Sequence, residues 1–318
     1  MRAALCICKK LLWLWAVNVI ESNIRGIHQD QPPRDSNSDQ RRSTVQAGFL
    51  NNSKPAQVLQ ISKKPPVGID KFTTCSSTVR YSGRRAVSAV HRPESDVLQA
   101  GLENYNATVE FLWAPLLVES NSDDAVDHRM SERILRPDSI LRHSSQWEHA
   151  DILVFNSFLW WRQGPVKLLN WWAGGMELAM ECWADWVASN VDPLKKKVFF
   201  VTMSPTHQLK EEWEPGSEGN CYDEKQPIHD ERYRGSASDL PTMRMVEKVF
   251  SRLGSKVFVL NITQLSDYRK DGHPTIYRKF WESFSPEKLA NPASYSDCTH
   301  WCLPGVPDVW NELLFQFL

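Results

Sequence analysis

Residues Ala150–Trp161 read "ADILVFNSFLWW". Within them Ile152–Phe155 is apolar at four successive positions. A strand with one solvated face alternates apolar and polar side chains, so an unbroken apolar run marks a strand covered on both faces, as in a parallel sheet. Three further β-rich runs share the chain with it: Thr108–Trp113 "TVEFLW", Val198–Met203 "VFFVTM" and Val257–Leu260 "VFVL". Helical spacing fills the intervals. Met176–Ala188 places Leu178, Cys182 and Trp186 four apart. Thr242–Leu253 carries Met243, Val246, Phe250 and Leu253 on one stripe, with Pro241 before it and Gly254 after it. Asp308–Phe317 follows Pro307 and carries Trp310, Leu313, Leu314 and Phe317. Strands alternating with helices predict an α/β fold, an open parallel sheet flanked by helices. Ligands of such sheets bind beyond the carboxyl ends of the strands. That rule singles out Asn156, Ser204, His207 and Asn261.

The first hundred residues are different. They hold 15 Lys+Arg against 7 Asp+Glu, whereas the remainder holds 22 against 31. "QPPRDSNSDQRRS" and "SKKPPVG" read as linker, and no sustained period runs through 21–100. The chain is therefore divided into an unstructured or atypical leader, 1–104, and a folded body, 105–318. The basic residues of the leader are scattered among Ser and Pro without interleaved aromatics, which argues against nucleic-acid binding. "LLWLWAVNVI" (11–20) follows two lysines and has the length of a signal-sequence apolar core. It is short of the roughly 20 residues of a membrane span, and a weak signal-anchor near 4–20 requires "ALCIC" to join it. Sequons at Asn51, Asn106 and Asn261 lean toward a secretory route.

"DCTHWCLP" (Asp297–Pro304) carries the chemistry. Three readings compete. Cys298, His300 and Cys302 alternate two apart, unlike the spacing of common zinc sites, and no second Cys/His pair supports a metal. A cysteine nucleophile is disfavoured, because adjacency to His300 does not aim a sulfur at the imidazole. Asp297 and His300 can form the base half of a hydrolase-like triad if the turn folds back, since a general-base His needs a carboxylate on its other nitrogen. His300 as a cap of the following helix stands level with that reading on spacing alone.

Ser296–Leu314, "SDCTHWCLPGVPDVWNELL", resembles the C-terminal signature of the plant trichome birefringence-like proteins, which are polysaccharide O-acetyltransferases. Further similar segments run in the family's order: Phe111–Asp124 "FLWAPLLVESNSDD", Ala150–Trp161, Met203–His207 "MSPTH", Gly219–Tyr222 "GNCY", Leu260–Lys279 "LNITQLSDYRKDGHPTIYRK" and Ala290–Cys298 "ANPASYSDC". They cover about two-thirds of the chain and are most similar to the xylan-acetylating branch. The resemblance implies a GDSL/SGNH-like fold in the Golgi lumen, held as a single-pass membrane protein. It implies transfer of acetyl, ultimately from acetyl-CoA, to hydroxyls of a xylan-like acceptor, with no metal. Its D-x-x-H motif falls on Asp297 and His300, and its oxyanion-holding Asn on Asn156. Cys221–Cys298 is the expected disulfide. Trp160 and Trp161 line the acceptor groove or pack in the core.

The departure lies upstream. The family carries its nucleophilic Ser in Gly-Asp-Ser, on a strand ahead of "FLWAP", and no Gly-Asp-Ser occurs in the 318 residues. Asp138–Ser139 in "RPDSI" falls outside the family's motif. The sheet is therefore expected to lack a central strand and expose its neighbours, and Cys302 to lack its partner. Three identities follow: an O-acetyltransferase, a catalytically inactive carbohydrate- or partner-binding relative, or a truncated gene product.

Overall fold

The computed structural model describes residues 107–318, apart from 125–129, 163–165, 169–173, 236–238, 279 and 281–282, together with the strands Arg2–Cys6, Ser88–His91 and Val97–Leu102. These three strands are β1, β2 and β3. They are followed by β4 (Ala107–Leu112), β5 (Glu119–Ser120), β6 (Arg133–Arg136), β7 (Ile152–Phe155), β8 (Val166–Leu168), β9 (Lys197–Val201) and β10 (Phe258–Leu260). The helices are α1 (Ile140–Trp147), α2 (Phe158–Trp161), α3 (Gly175–Asn190), α4 (Leu240–Ser251), α5 (Thr263–Asp267), α6 (Pro286–Leu289) and α7 (Val306–Phe315).

Seven strands form one sheet in the order β10-β9-β7-β1-β4-β3-β2. From β10 to β4 every pairing is parallel. The β4-β3-β2 edge is antiparallel. A small second sheet joins β5, β6 and β8. The apolar runs behave as their patterns predict. All four residues of β7 are buried, as are Val198–Val201 of β9. The core on this sheet contains an aromatic cluster: Trp183 meets Phe155, Phe200 and Phe250 at ring-centroid distances of 5.1, 5.3 and 5.0 Å. Trp147 meets Phe155 and Trp186 edge to face. Trp113, Trp147 and Trp183 are completely buried, so these tryptophans are packing residues.

The helix starts follow their sequence signals. Asp239 accepts hydrogen bonds from the Thr242 N–H and hydroxyl ahead of α4, and Pro241 sits in its first turn. The Asp308 carboxylate accepts the Gly305 N–H at 2.6 Å at the start of α7. Gly305 must be glycine, because a Cβ there would lie 2.6 Å from the Cys302 carbonyl oxygen.

The centre of the sheet corrects one expectation. The place between β4 and β7 is filled by β1, with Leu5 opposite Phe111 on one side and Val154 on the other. The physical reason is that a vacant place in a parallel sheet demands main-chain donors and acceptors rather than particular side chains. Five extended residues of the leader meet that demand. Ala4–Cys6 consequently stand in the sheet and not in an apolar span with 11–20; residues 7–20 lie outside the described residues. No helix among the described residues is long and apolar enough to cross a membrane.

Candidate active site

Asp297 and His300 lie in the segment leading to α7. Asp297 is fixed by a two-way main-chain bridge: its N–H donates to the Thr275 carbonyl at 3.0 Å, and Thr275 N–H donates back at 3.2 Å. The turn then folds over its carboxylate. Oδ1 accepts the main-chain N–H of Thr299 at 3.0 Å and of His300 at 2.9 Å, while Oδ2 accepts from His300 Nδ1 at 2.7 Å. A spacing of three residues thus brings the imidazole to the carboxylate through a tight side-chain turn. Burial raises the Asp297 carboxyl, but the His300 ring, the His300 and Thr299 N–H groups and the imidazole charge outweigh it and hold the carboxyl well below the usual range. Arg278 Nη1 lies 3.5 Å from Oδ2. With Nδ1 donating to Asp297, the half-exposed His300 ring offers Nε2 for proton transfer.

The cysteines brace this turn. Cys298 is joined to Cys221 by a disulfide with S–S 2.05 Å and Cα–Cα 5.7 Å. Cys302 is also disulfide-bonded, and its N–H donates to the Gly272 carbonyl at 3.0 Å. The expectation that Cys302 lacks a partner is thereby corrected: the leader brings three further cysteines, Cys6, Cys8 and Cys75. Because both sulfurs flanking His300 are in disulfides, neither is a thiolate ligand for a metal.

The other candidates are placed as follows. Asn156 stands at the carboxyl end of β7, but its amide nitrogen donates to the Val201 and Thr202 carbonyls at 3.3 and 3.2 Å, and none of these hydrogen bonds reaches Asp297 or His300. Trp160 and Trp161 lie in α2 against the cluster of Leu116, Val118, Leu135 and Ala179. The Trp160 ring meets Trp113 edge to face at 4.9 Å, and the Trp161 indole N–H donates to Ser157 Oγ at 3.0 Å. Asn261 Oδ1 accepts from Thr202 Oγ1, and the hydroxyl of its sequon partner Thr263 is buried and donates to the Met203 carbonyl at 2.6 Å. Asn51 and Asn106 lie outside the described residues. Asp138–Ser139 open α1, apart from the turn.

His207, already singled out by its place after a strand, and His273, which was not, border this turn. His207 and His273 are buried behind the turn, and the His273 ring reaches the His300 carbonyl at 2.6 Å. The signal in the sequence was their position within the "MSPTH" and "DGHP" segments.

A histidine oriented by a carboxylate is an arrangement able to serve acyl transfer. A family profile described as "PC-Esterase: GDSL/SGNH-like Acyl-Esterase family found in Pmr5 and Cas1p" matches residues 75–317. The chain belongs to this PC-esterase family. Among relatives, trichome birefringence-like 35 of Arabidopsis thaliana is 69% identical over 228 residues, 68% of this chain and 51% of that protein. Probable xylan O-acetyltransferase 10 of Oryza sativa subsp. japonica is 48% identical over 233 residues, 68% of this chain and 52% of that protein. Xylan O-acetyltransferase 14 of the same plant is 42% identical over 255 residues, again 68% of this chain and 54% of that protein. This PC-esterase chain spans about half the length of these curated relatives.

Proposed function

We propose that the chain acts in acetyl transfer to hydroxyls of a xylan-like polysaccharide, with His300 as general base and Asp297 as its orienting carboxylate. The 2.7 Å contact between His300 Nδ1 and Asp297 Oδ2 carries this reading. It fixes the tautomer, so Nε2 can take the proton of an attacking sugar hydroxyl while Asp297 stabilises the imidazolium. The hydroxyl oxygen attacks the acetyl carbonyl, the bond to the donor breaks, and the imidazolium returns its proton to the leaving group. With acetyl-CoA as donor that leaving group is the thiolate. Relatives named xylan O-acetyltransferases support the acceptor class.

The chain contains no Gly-Asp-Ser, and β1, at the centre of the sheet, reads "RAALC". In this proposal the acetyl group passes directly to the sugar, and no seryl ester from that motif contributes. The disulfides fit an oxidising compartment, and we place the reaction in the Golgi lumen, reached by a membrane-anchored route. The same missing motif favours a second reading, an inactive relative that binds carbohydrate or a protein partner. Incubation of the purified chain with acetyl-CoA and xylo-oligosaccharide, alongside a binding titration with the oligosaccharide alone, separates the two. Acetylated product that falls at least about 100-fold in His300→Ala is expected for the general base. Binding without product, equal in wild type and His300→Ala, would establish the inactive reading.

A further inference from the structure

Behind the Asp297–His300 turn, two buried imidazoles link two main-chain carbonyls. His207 Nε2 faces the Asp267 carbonyl oxygen at 2.9 Å. His207 Nδ1 faces His273 Nε2 at 2.7 Å. His273 Nδ1 faces the His300 carbonyl oxygen at 2.6 Å. His207 and His273 are 1% and 4% exposed, so water does not intervene freely.

A proton count decides what this chain of contacts holds. Both end contacts are to carbonyl oxygens, which only accept, so His207 Nε2 and His273 Nδ1 must each carry a hydrogen. A neutral imidazole carries one hydrogen. Two neutral rings supply two, and both are then committed to the carbonyls. The middle contact would be left with two lone pairs facing each other at 2.7 Å. Moving a hydrogen to the middle merely transfers the conflict to one carbonyl. Three hydrogen bonds need three protons on four nitrogens.

We propose that His207 and His273 share one additional proton, carry a single positive charge as a pair, and through it position the main chain of His300. The surroundings suit such a charge. The Trp301 ring stacks on His273 at 4.2 Å and 28°, presenting its negative face, and lies nearly perpendicular to His207 at 6.0 Å. Trp213 meets His207 at 5.6 Å. The ionisable neighbours are mixed in sign: Asp271 and Lys270 act on His207, while Asp297 and His300 act on His273. Asp271 is paired with Arg269, and Lys270 with Glu224. Burial disfavours the charged form of both imidazoles and is the largest influence lowering them. Against it stand the third hydrogen bond and the Trp301 face, and the contact geometry sets the number of protons. The latch is continued by the main chain, since His207 N–H donates to the Cys298 carbonyl and Cys221 N–H to the His207 carbonyl.

The pair is a positioning device, and its relevance to catalysis rests on the proposed function; the proton count does not. The test is NMR of the full chain, labelled with 15N in the histidine rings and 13C at the main-chain carbonyls. The expected result near neutral pH is three ring protons on the pair, one far downfield, with His207 Nδ1 and His273 Nε2 both intermediate between protonated and bare nitrogen. Raising the pH removes the downfield proton, and the His300 carbonyl 13C signal moves with the same midpoint. Two ring protons at neutral pH would overturn the shared charge. A His300 carbonyl signal that stays fixed while the pair titrates would overturn the positioning role. Neither result depends on acetyl transfer, so an inactive but triply protonated protein would reject only the proposed reaction.

Discussion

At the residue scale the account depends on Asp297. Three hydrogen bonds converge on its carboxylate, from two main-chain N–H groups and the His300 ring. Asp297→Asn keeps the size but presents an amide to Nδ1, which favours the wrong tautomer. The proposed transfer should fall by about 10²–10⁴-fold in that variant, measured as initial rate at fixed acceptor concentration. The pH dependence of stability has a definite sign. The folded carboxyl lies below its ordinary value of 3.8, so its stabilisation is present above that value and is lost as pH falls through the folded one. Acid unfolding monitored by circular dichroism should therefore lose part of its dependence below about pH 3.8 in Asp297→Asn. Gly272 makes a second residue-level case. A Cβ there would meet Val306 Cγ2 at 2.9 Å and the Trp301 ring at 3.1 Å. Gly272→Ala is expected to cost about 1–3 kcal/mol by overpacking, read from the denaturant midpoint.

At the scale of elements, two cross-links hold segments that are distant in sequence. The Cys221–Cys298 disulfide spans a separation of 77 residues. Constraining a loop of that length in the unfolded chain contributes about 4–5 kcal/mol in the chain-entropy account. The double Ser variant should unfold at correspondingly lower denaturant and lose the ordered Asp297 turn. The other cross-link ties α1 to the segments on either side of β5: His143 Nε2 meets Asp123 Oδ2 at 3.0 Å and Nδ1 the Leu117 carbonyl at 2.8 Å. Burial lowers the His143 value, but the Asp123 hydrogen bond and charge with the Leu117 carbonyl raise it above 6.5 overall. Its stabilisation is complete below about pH 6.5 and fades as pH rises through the folded value. His143→Gln should cost about 3–5 kcal/mol at pH 6, and progressively less at alkaline pH in parallel unfolding titrations. The long elements were legible because their patterns are local. β7 matches its apolar run, and α3 and α4 match their stripes to within a turn. The small β5-β6-β8 sheet was not, since strands of two to four residues have too few positions to show a period. The contact of His273 with His300 was hidden as well, because it joins residues 27 apart whose encounter is set by tertiary packing.

At the scale of the whole molecule, the decisive feature is β1. A five-residue stretch of a basic leader carries no pattern that distinguishes it from linker, and its place is set by the strands on either side. With β1 between β4 and β7, its main-chain amides should rank among the slowest to exchange with deuterium; fast exchange of residues 2–6 would show that the sheet is open at its centre. The contact between Asp297 and His300 was legible, because the three-residue spacing lets the turn fold the ring onto the carboxylate. The hydrogen bonds of the Asn156 amide to the Val201 and Thr202 carbonyls were not legible, because they join residues more than 40 apart. Profile and relatives place the chain in the PC-esterase family, and the geometry orients the ring of His300, the proposed base, on the Asp297 carboxylate. The most direct test of that base is the initial rate of acetyl transfer from acetyl-CoA to xylo-oligosaccharide, compared by mass spectrometry for the wild type, His300→Ala and Asp297→Asn. The account predicts acetylated product from the wild type and a loss of about 100-fold or more in both variants; no wild-type product, or equal rates in all three, would contradict it.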